Sequence, residues 1–122
     1  MAKIFGIHTI TLRPDANEAD FERYVLEEYL PTVSIWPGWK PRLLKGDRGE
    51  HAGQYVLLFE IDSVEARNRY YPAEGQMSEE AQAVAQGYTS EAQAVFNKWN
   101  TFTASENDIH TDYVEVTGRA GS

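Results

Sequence analysis

The stretch Ile4-Phe5-Gly6-Ile7-His8-Thr9-Ile10-Thr11-Leu12 decides the fold. Successive side chains of a strand point to opposite faces. One face then carries Ile4, Gly6, His8, Ile10 and Leu12, and the other Phe5, Ile7, Thr9 and Thr11. Gln54 to Asp62 repeats the pattern, with Tyr55, Leu57, Phe59 and Ile61 on one side and Val56, Leu58 and Glu60 on the other. Both faces are apolar, so each strand needs two covers. The helical segments further along the chain suffice for one face of a sheet. The second cover is expected to be another copy of the chain.

Working outward, Arg13-Pro14-Asp15 reads as a turn, because proline fixes its backbone and lacks a donor. Asn17 can cap a helix in which Phe21, Tyr24, Val25, Tyr29 and Leu30 recur at helical spacing, and which ends by Pro37-Gly38. Trp39 to Lys45 reads as a second strand, with a glycine-rich hairpin loop after it. That loop lacks the strand-loop-helix context of a phosphate cradle. After the strand over Gln54 to Ile61, Asp62 and Glu65 look like a capping box for a short helix through Tyr70. A longer helix starts near Ser78, with an apolar stripe from Ala81 to Trp99 and a weak point at Gly87. Ile109 to Val116 is the last strand. The order β-α-β-β-α-β is that of an α+β, ferredoxin-like sandwich with an antiparallel sheet and its helices on one face. Residues 1–117 are expected to form this single domain and residues 118–122 a disordered tail.

Composition narrows the partners. The 122 residues include 11 basic and 19 acidic side chains, a net charge of −8, which disfavours nucleic acid and anionic membrane surfaces. The longest apolar run is far too short to span a bilayer, and the opening residues lack the apolar core of a signal peptide. A cytoplasmic location is the expectation. With no cysteine, disulfides, thiolate metal sites and cysteine nucleophiles are absent.

Two stretches carry a family resemblance. Gly6-Ile7-His8-Thr9-Ile10-Thr11-Leu12-Arg13-Pro14 resembles the opening of NIPSNAP-like and antibiotic-biosynthesis-monooxygenase-like proteins, in which strand 1 leads through Lys/Arg-Pro into an acidic helix. Phe59-Glu60-Ile61-Asp62-Ser63-Val64-Glu65-Ala66-Arg67, with Tyr70-Tyr71-Pro72-Ala73-Glu74, is similar to the strand 3–helix junction of stress-responsive barrel and polyketide-cyclase-like members. All belong to the dimeric α+β barrel superfamily, and the resemblance covers residues 3–117. It implies a homodimer in which two sheets close face to face. It further implies either a cofactor-independent monooxygenase- or cyclase-like enzyme or a non-catalytic, stress-response dimer binding a small hydrophobic molecule. Cofactor-free oxygenation in this superfamily is thought to begin from a carbanion-like substrate. Family junctions often read His-Pro-x-His, where this chain has Tyr71-Pro72-Ala73-Glu74. A base at that place is either a carboxylate or lost.

The candidate catalytic residues are His8, Glu74 and Tyr70. His8 sits beside Gly6 on an otherwise apolar face, which fits either a hydrogen-bonded core histidine or a pocket base titrating near neutrality. Glu74 is either a solvated loop carboxylate or an acid–base group among apolar walls. Tyr70 would orient a substrate by its hydroxyl. Phe21, Tyr24, Trp39, Tyr71 and Trp99 would wall a pocket for a small aromatic molecule, or else pack the core. His110 and Asp112 share a strand face, but they fall short of the three or four ligands zinc requires. His51 lies in the hairpin loop and reads as solvated. No metal and no cofactor is expected.

Overall fold

Strand β1 (Ile4–Ile10) lies between two partners and organises the sheet. It pairs antiparallel with β3 (Tyr55–Ile61), Ile4 opposite Ile61 and Ile10 opposite Tyr55. On its other edge it pairs antiparallel with β4 (His110–Val114), Gly6 opposite Asp112 and His8 opposite His110. Strand β2 (Trp39–Lys45) completes the order β2-β3-β1-β4. This is the ferredoxin-like sandwich expected from the element order. The computed structural model describes residues 2–34, 36–73, 76–104 and 108–116. Glu74 and the expected tail lie outside the described residues.

The first crossover is one helical rod in three pieces: α1 (Glu18–Tyr24), a π-helical turn (Val25–Tyr29) and α2 (Leu30–Val33). The Asn17 side chain accepts the Asp20 N–H at 3.0 Å and caps α1, as its position suggests. Pro31 supplies no N–H and its ring crowds the carbonyl one turn back. The wide turn just before it, closed by the Leu30 N–H to the Val25 carbonyl, lets the rod continue past the proline.

The second crossover holds α3 (Val64–Tyr70), α4 (Glu79–Gln86) and α5 (Ser90–Phe102). Two local expectations change here. The cap of α3 is Ser63, whose hydroxyl accepts the Ala66 N–H at 3.0 Å, rather than Asp62. The long helix expected from Ser78 is two helices: α4 ends on Gly87, and Thr89 caps a fresh start by accepting the Ala92 N–H. Glycine weakens the helix, and a threonine two residues on offers the backbone a competing bond.

The strand alternation sorts the two faces as read. Ile4, Ile10, Tyr55, Leu57 and Ile61 are buried beneath the helices. At the Ile10–Tyr55 end the sandwich is filled by Phe21, Tyr24 and Val25, with Trp99 and Phe102 against them. Phe21 is fully buried and meets Tyr55, Trp99 and Phe102 edge-on at 5.3–5.7 Å. On the opposite face Phe5, Ile7, Val56 and Leu58 are only half-buried, and Leu44 and Tyr113 are exposed. Replacing Phe21 by alanine should remove about 3–5 kcal/mol of stability. Denaturant unfolding followed by tryptophan fluorescence checks this.

Candidate functional site

The other end of the same sandwich is hollow. Between the sheet and the helices lies a cavity of about 1100 Å³. Its floor is Gly6 and His8 of β1, Phe59 and Ile61 of β3, and His110 and Asp112 of β4. Its walls come from Tyr29 of the π-helical turn, Val33 of α2, Ala85 of α4 and Phe96 of α5. Where β1 carries Ile10 the space is packed, and where it carries Gly6 it is open.

One side of the cavity is aromatic. Trp36 stacks on Tyr71 at 5.6 Å and meets Trp39 edge-on at 5.4 Å. Trp39 in turn meets Phe59 at 5.9 Å, and Tyr88 meets Phe96 at 4.9 Å. The Trp36 indole donates to the Tyr88 hydroxyl at 3.3 Å, and the Trp39 indole to the Ala66 carbonyl at 3.3 Å. Both indole N–H groups are thereby satisfied, and the rings are held in place against one another. Burial and the neighbouring Tyr88 and Tyr71 hydroxyls push the Tyr29 phenol up to about 12, so it stays a neutral donor.

The other side is polar. His8 and His110 lie edge to face, with ring centroids 5.8 Å apart. His110 Nε2 is 2.9 Å from Asp112 Oδ1, and Arg67 Nη1 donates to Asp112 Oδ2 at 3.0 Å. His8 Nε2 lies 3.9 Å from Asp108 Oδ2, beyond hydrogen-bond length. The Asp108 side chain is 4% exposed. Its Oδ1 accepts the Thr11 N–H at 3.1 Å, while Oδ2 finds no partner among the described residues. Burial lowers the pKa of His8; Asp108 opposes that shift and His110 adds to it. The ring is therefore neutral at pH 7 and able to accept a proton. Among the described residues no cluster of three metal-ligating side chains occurs.

Of the residues singled out in the sequence, His8, Trp39 and Tyr71 line this cavity together. Tyr70 does not; it is 2 % exposed and packs against Trp36 and Trp39 from behind. Phe21, Tyr24 and Trp99 belong to the packed end of the sandwich. Tyr24 donates to the Val95 carbonyl. The cavity also takes in Arg67, His110 and Asp112, which sequence reasoning passed over as site residues. The signal for the last two was their i, i+2 spacing on a strand next to a histidine-bearing one. The space beside Gly6 has a specific use: a Cβ there would lie 2.9 Å from Asp112 Oδ1 and 3.3 Å from His110 Cε1.

No protein-family model matches the chain, and no curated protein matches its sequence. Solved structures do match. An uncharacterized NIPSNAP domain protein from Burkholderia xenovorans superposes with a TM-score of 0.61 at 14% identity, over 93% of this chain and 94% of that one. SnoaB, a cofactor-independent oxygenase from Streptomyces nogalater, does so with a TM-score of 0.57 at 12% identity, over 98% of each chain. A dabb family protein with a ferredoxin-like fold from Mesorhizobium loti gives 0.56 at 14%, over 95% and 99%. The chain shares their fold. At such identities the likeness is one of architecture, and chemistry has to be argued from the cavity. No helix among the described residues is long and apolar enough to cross a membrane.

The histidine environment has a measurable consequence. His8 should titrate below its ordinary value of 6.5 when followed by NMR. Because its folded pKa is the lower one, the unfolded chain binds the extra proton. This contribution to stability is therefore present above the unfolded value of 6.5 and is lost as the pH falls from there through the lower folded value. Asp108→Asn removes the one influence that raises the His8 pKa and should move the titration lower still. An unchanged titration would show that Asp108 does not act on the ring.

Proposed function

We propose that the cavity binds a small, flat aromatic molecule bearing an ionisable hydroxyl, and that the protein acts on it without a cofactor, in the manner of a monooxygenase or cyclase. The observation that carries this reading is the division of one cavity into an aromatic side and a histidine–carboxylate side. Trp36, Trp39 and Tyr71 give one side of the cavity an apolar aromatic lining that suits a planar ligand, and a few convergent polar groups fix its orientation. His8, neutral at pH 7, is the base: it takes the hydroxyl proton and leaves an electron-rich anion for attack by oxygen or for ring closure. The oxygenase named among the fold neighbours makes this chemistry compatible with the architecture. Glu74, which lies outside the described residues, remains a secondary proposal for an acid–base role; Tyr70, buried behind the wall, is left without the orienting role.

The second reading is a binder without turnover, and the absence of a junction histidine favours it. The two are told apart by titrating the protein with 1-naphthol and 2-naphthol and following tryptophan quenching, then oxygen consumption. Saturable quenching with oxygen uptake supports the enzyme, and quenching without turnover of any hydroxyarene supports the binder. No quenching removes both. If the enzyme reading holds, His8→Gln should lower turnover on the order of 10²-fold while affinity for the naphthol stays within a few fold.

The protein is further proposed to be a homodimer closed through the open sheet face. The half-buried Phe5, Ile7, Val56 and Leu58 run down the middle of that face on the two central strands. Because each is already half covered, completing its burial contributes on the order of 1 kcal/mol of transfer free energy. Leu58→Glu should convert the dimer to monomer or unfold it in sedimentation experiments. A wild-type protein that sediments as a stable monomer would end this proposal.

A further inference from the structure

His110 lies in the cavity beside His8 but has no assigned part in moving the proton. Its Nε2 is 2.9 Å from Asp112 Oδ1. An ionised carboxylate only accepts, so Nε2 carries the hydrogen, and in the neutral ring the lone pair resides on Nδ1. Asp112 is itself anchored by Arg67 through its second oxygen at 3.0 Å. The chain Arg67–Asp112–His110 thus spans α3 and β4, fixes the ring and its tautomer, and places a carboxylate where an imidazolium would form. A histidine held in one orientation and tautomer by a carboxylate, itself oriented by a third group, has the arrangement of an acid–base residue.

The sequence is shaped around this arrangement. Gly6 sits opposite Asp112 across the β1–β4 pair, and any side chain there would intrude on Asp112 Oδ1 and His110 Cε1. A glycine in the middle of a central strand weakens the strand and marks a close approach of other groups. Here those groups are the two that form the hydrogen bond.

We infer that His110, positioned by Asp112 and Arg67, is a second proton-accepting residue of the cavity, working beside His8 on the hydroxyl of a bound phenol. The step moves one proton: the ligand O–H bond breaks, an N–H bond forms at Nδ1, and the electron pair stays on oxygen as phenolate. No oxidant or reductant enters. Among the described residues, the charged and titratable groups near the ring are His8 of β1, Asp112 of its own strand and Arg67 of α3, with Asp108 facing His8 from the segment before β4. The inference rests on the cavity binding a hydroxyarene, as proposed above.

The test uses 7-hydroxycoumarin, whose absorption and fluorescence distinguish phenol from phenolate. Bound to the wild-type protein, it should ionise at lower pH than in solution. His110→Gln should retain binding within a few fold. It should also move the ionisation back toward the free value by about one pH unit, a tenfold loss of phenolate at fixed pH. Asp112→Asn should move it the same way by less, because the ring persists but its tautomer is no longer imposed. Gly6→Ala, with both partners still present, should follow Asp112→Asn. Circular dichroism checks that each variant folds, and Asp112→Asn keeps the test open should His110→Gln fail to fold. An ionisation unchanged in His110→Gln and Asp112→Asn, but abolished in His8→Gln, overturns the inference and leaves the cavity reading intact. Failure of the wild type to bind either the coumarin or the naphthols overturns both.

Discussion

Everything in this structure depends on the antiparallel pairing of β1 with β3 on one side and β4 on the other. A strand side chain has only two directions available. Once the register is set, Ile4, Gly6, His8 and Ile10 all face the helices, and Phe5, Ile7 and Thr9 all face away. A slip by one residue would exchange the two sets and place Phe5 and Ile7 where the cavity floor now is. Ile4 and Ile10, only 2% and 6% exposed, hold the register against such a slip.

Within that register, side-chain volume divides the sandwich into a packed end and a hollow end. Ile10 and Tyr55 meet Phe21, Tyr24 and Trp99 in close aromatic packing. Gly6 and His8 do not fill their share of the layer, and neither α4 nor α5 comes down to replace them. The break between those helices at Gly87 puts Tyr88 on the cavity wall. The wide helical turn before Pro31 carries Tyr29 to the same wall, where it bridges Trp99 of the core at 4.6 Å and Phe96 of the cavity at 6.1 Å. Local irregularities in both crossovers thus contribute to the cavity rather than merely ending helices.

The electrostatics follow the same geography. The open sheet face carries Glu60, its side chain largely covered, between the exposed Lys3 at 2.8 Å and Arg42 at 3.1 Å. The cavity instead holds histidines beside carboxylates in a partly desolvated setting, where small environmental differences change which ring holds a proton. His8 sits near a carboxylate it does not touch, and His110 is hydrogen-bonded to one that is held by an arginine. Two imidazoles less than 6 Å apart are therefore given distinct surroundings by residues from α3, β4 and the segment before it.

The sequence by itself determined the element order, the two apolar faces of the central strands and hence the sandwich. These depend on the local rules of strand alternation, helical periodicity and turn chemistry. It also pointed to His8, because a histidine beside a glycine on an apolar face is conspicuous without any partner in view. Boundaries set by competing local bonds were less legible, as the Ser63 cap and the division at Gly87 show. Only the tertiary structure decided which aromatics face the cavity. Phe21, Tyr24 and Trp99 obey the same periodicity as the wall residues but lie at the filled end, a distinction made by helix placement rather than by pattern. Only the tertiary structure, too, joined Gly6, Arg67, His110 and Asp112. Gly6 and Asp112 lie 106 positions apart in the chain, and their meeting depends on the register of β1 against β4. No local feature of either strand encodes that register.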